Sequence, residues 1–207
     1  MAKDRAQDRV KRARCIETPE EALEVYRDWA GDYDRDVAGT LKFIGGERIA
    51  QLLAEHVADR RARIIDLGCG TGLVGQALKA HGFSRVDGLD LSPDMLAVAR
   101  RKAVYAATFE ADLLAPLDLP DGAYDGAISA GTFTTGHVDA SALPEVLRIV
   151  RPGGLLACVV ADAVWREGGF ADVLAVRERQ VAHHSREPIA AGGSAEGHYL
   201  VVRVTAV

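Results

Sequence analysis

The sequence predicts a single α/β domain built on a mostly parallel sheet, and three observations lead to this prediction. From Arg63 to Lys102, short apolar runs alternate with helical stretches, which is the order of strands and helices in a parallel sheet. The 207 residues are close to the length of one domain. Hydrophobic residues at 48% and charged residues at 27% are typical of a globular chain, so we expect one sizeable core.

The beginning of the chain is strongly basic. Its first fourteen residues hold six basic and two acidic side chains, with no apolar stretch behind them. We predict a flexible basic arm over residues 1–17, and an unstructured solvated tail is favoured over a small binding arm. We expect no secretory signal, and the seven-residue apolar run Leu155 to Ala161 is too short to cross a bilayer. These features favour a cytoplasmic protein with no membrane partner.

Charge and cysteine content argue against two further classes of protein. The net charge is −5, and setting aside the +4 of residues 1–14 leaves about −9 on the remainder, so we expect no nucleic-acid partner. Cys15, Cys69 and Cys158 are widely spaced and form no zinc-ligand pattern. We expect reduced thiols and no metal.

Residues 18–58 are predicted to form a helical cap, or lid, before the main fold. Thr18, Pro19 and Glu21 have the pattern of an N-cap, a proline at the first helical position and a capping-box glutamate. A second helix is predicted from the apolar spacing within Leu41 to Val57, although Gly45 and Gly46 weaken its first turn or break the segment there.

The remaining chain divides into a core over residues 63–160 and a C-terminal helix and hairpin over residues 161–207. The predicted core strands are Ile64–Leu67, Val86–Leu89, Tyr105–Phe109, Tyr124–Ser129 and Leu155–Val160, and the helices between them are Leu73–Ala80, Asp94–Lys102 and Ala142–Val150. A helix over Phe170–Val181 and an antiparallel pair formed by Glu187–Ala190 and Tyr199–Val204 complete the prediction.

A glycine loop follows the first predicted core strand. Ile64-Ile65-Asp66-Leu67 is followed by Gly68-Cys69-Gly70-Thr71-Gly72 and then by a predicted helix. Alternate glycines permit positive φ angles and a close approach of the backbone to a ligand, while the helix start offers unpaired N–H groups. We therefore expect a cofactor to lie against this loop.

Three aspartates near predicted strand ends bear on the choice of cofactor. Asp90 is placed to bind both ribose hydroxyls of an adenosine, or it is a solvated acid. Asp112 is placed to meet an adenine amino group, or it caps its own loop. Gly70 to Gly75 also matches the GxGxxG pattern of NAD-binding folds. Against that cofactor, Asp66 would repel a pyrophosphate and attract the ammonium of S-adenosylmethionine.

Four motifs in this order resemble those of the class I S-adenosylmethionine-dependent methyltransferases. They are Asp66-Leu67-Gly68-Cys69-Gly70-Thr71-Gly72, Asp90-Leu91-Ser92, Ala111-Asp112-Leu113 and Arg151-Pro152-Gly153-Gly154, within a resemblance that covers about residues 20–207. The strings Trp29 to Asp34, Gly72 to Gly75 and Gly131 to Val138 are similar to the methyltransferase-like proteins named after the Williams-Beuren syndrome region. The resemblance implies a Rossmann-like, seven-stranded, mostly parallel sheet with an antiparallel last strand and helices on both faces.

The resemblance also implies which residues bind S-adenosylmethionine and release S-adenosylhomocysteine. Tyr33 would lie near the methionine carboxylate, Gly68, Cys69 and Gly70 along the cofactor, Asp90 on the ribose, Leu91, Met95, Asp112 and Leu113 around adenine, and Ser129, Ala130 and Gly131 beneath the sulfonium. The polar-Pro-Pro-aromatic signature of amino-group methylation is replaced by Ser129-Ala130-Gly131-Thr132-Phe133. Exocyclic amines of nucleic-acid bases are therefore disfavoured as methyl acceptors.

A small set of side chains could serve the methyl acceptor. His137, after the fourth core strand, is our candidate general base, and a structural role is equally compatible with its position. Tyr26, Trp29 and Phe133 are candidates for a substrate pocket, although Tyr26 and Trp29 at helical spacing are more often core contacts. Three histidines of the C-terminal segment, His183, His184 and His198, are interpreted as surface residues and not as metal ligands.

The favoured hypothesis is an enzyme that methylates a small molecule at an O- or N-nucleophile, because the chain has no room for a large recognition domain. One alternative is a module that binds S-adenosylmethionine or S-adenosylhomocysteine without turnover. A second and weaker alternative is an NAD-dependent oxidoreductase, which rests on the glycine pattern alone. The sequence leaves the oligomeric state open.

Overall fold

A seven-stranded sheet forms the centre of the molecule, for which a computed structural model describes residues 2–167, 169–172 and 180–205. The strands are β1 Arg63–Leu67, β2 Arg85–Asp90, β3 Thr108–Glu110, β4 Tyr124–Phe133, β5 Val150–Ala161, β6 Val181–Pro188 and β7 Glu196–Arg203. Their order is β3-β2-β1-β4-β5-β7-β6. The first five strands pair in parallel, and β7 lies antiparallel between β5 and β6. The predicted fold class, with its antiparallel last strand, is confirmed.

Helices cover both faces and one end of this sheet. They are α1 Ala2–Arg14, α2 Pro19–Trp29, α3 Gly45–His56, α4 Leu73–Ala80, α5 Pro93–Lys102, α6 Leu143–Ile149 and α7 Asp162–Glu167, with a π-helical segment over Arg35–Thr40. The predicted N-cap of α2 is present, since the Thr18 hydroxyl accepts the Glu21 N–H at 3.2 Å. The glycine pair opens α3 at Gly45, so the helix begins later than the predicted Leu41.

The two faces of the sheet bury separate apolar clusters. In β1, Ile64 packs into the cluster beneath α3 and α4, while Ile65 packs into the cluster beneath α6. This alternation follows from the pleat of a strand, which sends successive side chains to opposite faces. Both isoleucines are fully buried, and each contributes about 1.5–3 kcal/mol to stability. The clusters fix the sheet, and the strand ends carry the loops described below.

The structure differs from the prediction over residues 1–17. Ala2–Arg14 is a helix and not an unstructured tail. Ala6 and Ala13 are buried, and the Arg9 guanidinium lies 2.6 Å from the Asp36 carboxylate and 2.9 Å from that of Asp32. The prediction of a tail was based on charge alone and did not consider the apolar residues that recur along one face of this segment. The helix belongs to the cap.

The C-terminal segment also differs from its prediction. Residues 170–172 are helical, residues 173–179 lie outside the described part of the chain, and Val181 opens β6 instead of ending a helix. The first strand of the hairpin therefore starts six residues before the predicted Glu187. The hairpin itself pairs antiparallel, as predicted. In the described residues, no helix combines the length and apolar character that crossing a membrane requires.

Candidate functional site

Two cavities open next to the carboxyl ends of the parallel strands. The strand-end cavity, about 430 Å³ in volume, lies against the glycine loop and includes Gly70, Asp90 and Asp112 in its wall. The α1 cavity, about 520 Å³, lies beneath α1 and includes Trp29 and Phe133. Both volumes are in the range of small-molecule sites. The two walls share five residues: Tyr26, Tyr33, Gly131, Thr134 and His137.

The glycine loop has a backbone shape that larger residues would oppose. Gly68, Gly70 and Gly72 have φ angles of 68°, 52° and 89°. A Cβ on Gly68 would lie 2.1 Å from the Thr132 hydroxyl, so no side chain fits there. Thr132 in turn donates to the Leu67 carbonyl at 3.1 Å and ties the loop to β4.

Asp90 holds the loop to the end of β2. One carboxylate oxygen accepts the Gly70 N–H at 2.7 Å, and the other accepts the Ser92 N–H at 2.9 Å. Burial raises the pKa of Asp90, while these two N–H groups oppose the rise. The carboxylate thus stands at the rim of the strand-end cavity with lone pairs left to accept further hydrogen bonds.

Asp66 lies beneath the loop and not in the wall of the strand-end cavity. It is fully buried, one oxygen accepts the Tyr105 hydroxyl at 2.5 Å, and the other oxygen has no partner. Burial raises the pKa of Asp66 to about 7. A buried carboxylate with an unpaired oxygen beside a ligand loop is what a cationic group of a bound cofactor would satisfy.

Tyr105 is a residue that the sequence analysis missed. Its ring fills the space left by two glycines, since a Cβ on Gly75 or Gly88 would come within 2.5 Å or 3.0 Å of it. The glycine that completes the GxGxxG pattern is therefore explained by the packing of Tyr105. The sequence predicts a strand that starts at Tyr105, whereas β3 begins three residues later, and nothing local connects Tyr105 to Asp66.

Most of the predicted cofactor residues come together in the wall of the strand-end cavity. Ten do so: Tyr33, Gly68, Gly70, Asp90, Leu91, Met95, Asp112, Leu113, Ala130 and Gly131. Asp66, Cys69 and Ser129 are buried behind it. The Ser129 hydroxyl donates to the Leu67 carbonyl at 2.8 Å. Burial raises the pKa of Cys69, which disfavours the reactive thiolate. Asp112 accepts the Leu114 N–H at 2.8 Å, which is the capping role weighed from the sequence.

A tyrosine and a histidine meet where the two cavities join. The Nδ1 of His137 lies 3.1 Å from the Thr135 carbonyl, which can only accept, so Nδ1 carries the proton. The Nε2 atom is then unprotonated and accepts a short hydrogen bond from the Tyr26 hydroxyl. Burial lowers the pKa of His137 and raises that of Tyr26, so both are neutral near pH 7.

The other two predicted pocket residues lie in the wall of the α1 cavity. The Trp29 indole N–H donates to Asp36 at 3.1 Å, and its ring meets Tyr33 edge to face at 4.8 Å. Phe133 is fully buried and packs edge to face on Phe170 at 5.0 Å. Both border the cavity, yet their polar and aromatic contacts are those of core residues, as the alternative for Trp29 anticipated.

The C-terminal histidines lie outside both cavities. His198 is buried, contrary to the surface position predicted for it, and bonds His184 at 3.0 Å and Asp162 at 3.1 Å. Trp165 of α7 stacks on His198 at 4.0 Å. Throughout the described ranges, no group of three potential ligands could hold a metal ion. These contacts anchor α7 to the hairpin.

Residues 64–154 match the family model of the methyltransferase domain. Human methyltransferase-like protein 27 is 36% identical over 151 residues, which are 72% of this chain and 61% of that protein. Residues 64–154 therefore form a methyltransferase domain, and the likeness to a methyltransferase-like protein extends over most of this chain.

Two bacterial methyltransferases show similar likeness over shorter stretches. Demethylmenaquinone methyltransferase of Thermus thermophilus is 42% identical over 99 residues, 45% of this chain and 44% of that one. Trans-aconitate 2-methyltransferase of Methylobacterium nodulans is 39% identical over 135 residues, 62% of this chain and 50% of that one. The chain thus spans about half of these relatives' length.

Solved structures support the methyltransferase fold. The cyclase SpnF superposes with a TM-score of 0.69 at 18% identity, covering 93% of this chain and 98% of that one. An S-adenosylmethionine-dependent methyltransferase of Aquifex aeolicus superposes with a TM-score of 0.61 at 18% identity, covering 85% of this chain and 98% of that one. At such identities the likeness concerns the fold alone.

Proposed function

We propose that this chain uses S-adenosylmethionine to methylate a small molecule and releases S-adenosylhomocysteine. One observation carries the proposal: two cavities of different character meet at Tyr26 and His137. A methyltransferase needs a cofactor site and an acceptor site that touch where the methyl group passes. The curated relatives named above act, by their names, on demethylmenaquinone and trans-aconitate, and support the small-molecule class without choosing an acceptor.

The charge of the strand-end cavity favours S-adenosylmethionine over a dinucleotide. Its described wall has no lysine or arginine and contains five carboxyl side chains: Glu17, Asp90, Asp112, Asp139 and Glu167. Such a wall repels a pyrophosphate and attracts a sulfonium and an ammonium. The NAD alternative therefore loses its main support, the glycine pattern, which Tyr105 explains through packing.

The predicted residues fit S-adenosylmethionine in three respects. Asp90 has acceptor capacity left for ribose hydroxyls, and the apolar side chains of Leu91, Met95 and Leu113 suit an adenine ring. Asp66, buried beneath the glycine loop with one unpaired oxygen, favours a positively charged group on the other side of the loop through its charge. Gly131, with a φ of 84° and no atom within 4 Å of the place where a Cβ would stand, leaves the junction of the cavities open.

Catalysis in this proposal rests on alignment and on one base. The cofactor supplies a methyl group on a positively charged sulfur, whose charge is lost on transfer. Walls that hold both molecules in line can supply roughly 7–11 kcal/mol in the best cases. A protic acceptor also needs a base, and we assign that role to the unprotonated Nε2 of His137, worth roughly 10² to 10⁴-fold in rate.

Calorimetry with S-adenosylmethionine and S-adenosylhomocysteine tests the cofactor assignment. We expect both to bind, and we expect no change in nicotinamide fluorescence on mixing with NADH. If neither adenosyl compound binds, the proposal is wrong.

Product release tests turnover. With a broad metabolite extract and S-adenosylmethionine, we expect S-adenosylhomocysteine to accumulate above the level of a His137→Ala variant. Binding of the cofactor with release no greater than that of the variant would instead support a module without turnover.

A further inference from the structure

The wall of the α1 cavity differs in charge from that of the strand-end cavity. No aspartate or glutamate lines it among the residues that the structure describes. Its basic residues, Lys11 and Arg14, are exposed on α1 at its border. Most of the remaining wall is apolar: Val10, Ala13, Trp29, Val37, Leu41, Phe43, Phe133, Val159, Ala161, Ile189 and Ala190. An occupant with an apolar body fits this wall, because apolar surface is stabilised by leaving water.

A cationic acceptor does not fit. A protonated amine inside the α1 cavity would lose its hydration without a carboxylate to replace it, which is strongly unfavourable. The neutral Tyr26 and His137 at the junction do not supply a counter-charge. The wall therefore favours an oxygen nucleophile over an amine.

The hydrogen bonds at the junction point to an acceptor that must lose a proton. The Thr135 carbonyl fixes the proton of His137 on Nδ1, and the Tyr26 hydroxyl donates to the free Nε2. A tyrosine oxygen that gives its proton to a histidine can accept one from a neighbouring hydroxyl. A carboxylate acceptor would need no such arrangement, since it is already ionised.

Building on the methyl transfer proposed above, we propose that the α1 cavity binds an apolar alcohol or phenol and that Tyr26 relays its hydroxyl proton to His137. The acceptor oxygen releases its proton to the Tyr26 oxygen, and the Tyr26 proton passes to Nε2 of His137. Histidine becomes imidazolium, and its Nδ1–H keeps the bond to Thr135. The acceptor oxygen forms its new bond to the methyl carbon as the bond from that carbon to sulfur breaks, which leaves a neutral thioether and an ether product.

Three probes with one naphthalene ring test the class of acceptor. They are 2-naphthol, 6-hydroxy-2-naphthoate and 2-naphthylmethylammonium, and their binding is measured by calorimetry in the presence of S-adenosylhomocysteine. We expect both hydroxyl probes to bind and the ammonium probe to bind at least about tenfold more weakly, because its charge is unpaired. Equal binding of the ammonium probe, or no binding of any probe while S-adenosylhomocysteine binds, overturns the proposal.

The product of 6-hydroxy-2-naphthoate separates two reactions on one molecule. Methylation of its hydroxyl yields an ether that survives mild alkali, whereas methylation of its carboxylate yields an ester that does not. We expect the ether. An ester product, or a bound hydroxyl probe that yields no product, overturns the relay.

Matched variants test the route of the proton. Tyr26→Phe and His137→Gln are expected to keep probe affinity within about threefold and to lower ether formation by about 10² or more, as loss of a general base does. Tyr199→Phe and His183→Gln, which change side chains outside both walls, are expected to keep the rate. The rate of the unaltered protein should rise with pH as His137 loses its proton, and His137→Gln should lack that step. A variant of either residue that keeps both the rate and the pH profile overturns the relay.

Failure of this inference is distinguishable from failure of the proposed function. S-adenosylhomocysteine binding is measured in the same titrations, so loss of that binding refutes the cofactor assignment. Intact cofactor binding with the wrong probe selectivity refutes only the acceptor class and the relay.

Discussion

The two cavities are built by different parts of the chain and carry different charge. The strand-end cavity takes most of its polar groups from loops that follow parallel strands, with others from the start of α2 and from α7, and backbone hydrogen bonds from Gly70 and Ser92 fix Asp90. The α1 cavity takes its wall from α1, the cap and the outer strands, and side-chain contacts such as Arg9 with Asp36 hold α1 in place. A backbone-defined site constrains its ligand closely, whereas a site built by side chains changes when a few residues change.

This difference shows how one fold can keep a donor and exchange the acceptor. Substitutions in α1 can alter the α1 cavity without touching Asp90 or the glycine loop, because the two walls share only the five residues at their junction. The predictions below alter the strand-end side, the junction and the border of the α1 cavity separately.

The largest expected effect concerns Asp66, which we treat as part of the donor side. Its pKa of about 7 in the fold exceeds the unfolded value of about 3.9, so the folded protein binds more protons between these values. As the pH rises from about 4 to about 7, the protein therefore loses up to about 4 kcal/mol of its free energy of unfolding through this group. Above about pH 7 the contribution of this group is constant.

Asp66→Asn removes this loss and keeps an acceptor for the Tyr105 hydroxyl. We expect the variant to gain stability relative to the unaltered protein as the pH rises through that window, measured by urea unfolding at a series of pH values. S-adenosylhomocysteine should shrink the difference, because its ammonium favours the ionised acid. Parallel stability curves for the two proteins would contradict the assignment of the raised pKa to Asp66.

The second effect concerns Asp90. Asp90→Ala removes two charge-assisted hydrogen bonds expected to the ribose and releases the Gly70 and Ser92 N–H groups. At about 1.5 kcal/mol for each ribose bond, S-adenosylhomocysteine should bind about 10²-fold more weakly. Calorimetry measures this, with Asp94→Ala on the exposed first turn of α5 as the control. Naphthol binding in the α1 cavity should stay within about threefold, and an equal loss there would show that the cavities are not independent.

The sequence predicted the donor side better than the acceptor side, for a physical reason. The glycine loop and Asp90 act through the backbone of neighbouring strands, so local spacing and strand order are enough to bring them together. The hydrogen bond from Tyr105 to the carboxylate of Asp66 joins residues 39 positions apart, and no local pattern predicts that contact.

The three predicted substrate-pocket residues line the α1 cavity, but the wall that α1 supplies was missed, because residues 1–17 were predicted to be a tail. Ala6, Val10 and Ala13 recur at helical spacing and form the face of α1 that packs against the rest of the protein. The prediction gave more weight to the six basic side chains of this segment than to that spacing. Gly136 is a second signal: a Cβ there would lie 2.7 Å from the Arg14 carbonyl. The docked end of α1 and a φ of 82° together explain that glycine. His137 and Tyr26 were each singled out from the sequence, but their hydrogen bond joins residues 111 positions apart.

The third effect acts at the junction. Gly131 has a φ of 84° and an open space where a Cβ would stand, so Gly131→Ala places a methyl group between the two cavities. We expect turnover of 2-naphthol to fall at least about tenfold, since small misplacements of reacting groups slow transfer. Gly82 has a similar φ of 89°, and a Cβ there would make only ordinary contacts. Gly82→Ala therefore serves as the control for the left-handed strain of about 1–2 kcal/mol. Equal turnover in the two variants would mean that the methyl group does not pass Gly131.

The smallest effect concerns the border of the α1 cavity. Lys11 and Arg14 are exposed, so each contributes only about 0.2–1 kcal/mol to the binding of an anion. Replacing both by glutamate should weaken 6-hydroxy-2-naphthoate about threefold or more at low salt, leave 2-naphthol unchanged, and lose its effect as salt screens the charges. Replacement of Arg5 and Arg12, exposed α1 residues outside both walls, is the matched control. Calorimetry at two ionic strengths measures the binding of both double variants. If the two double replacements weaken binding equally, the attraction comes from the net charge of α1. If only the replacement of Lys11 and Arg14 weakens binding, the carboxylate lies at this border.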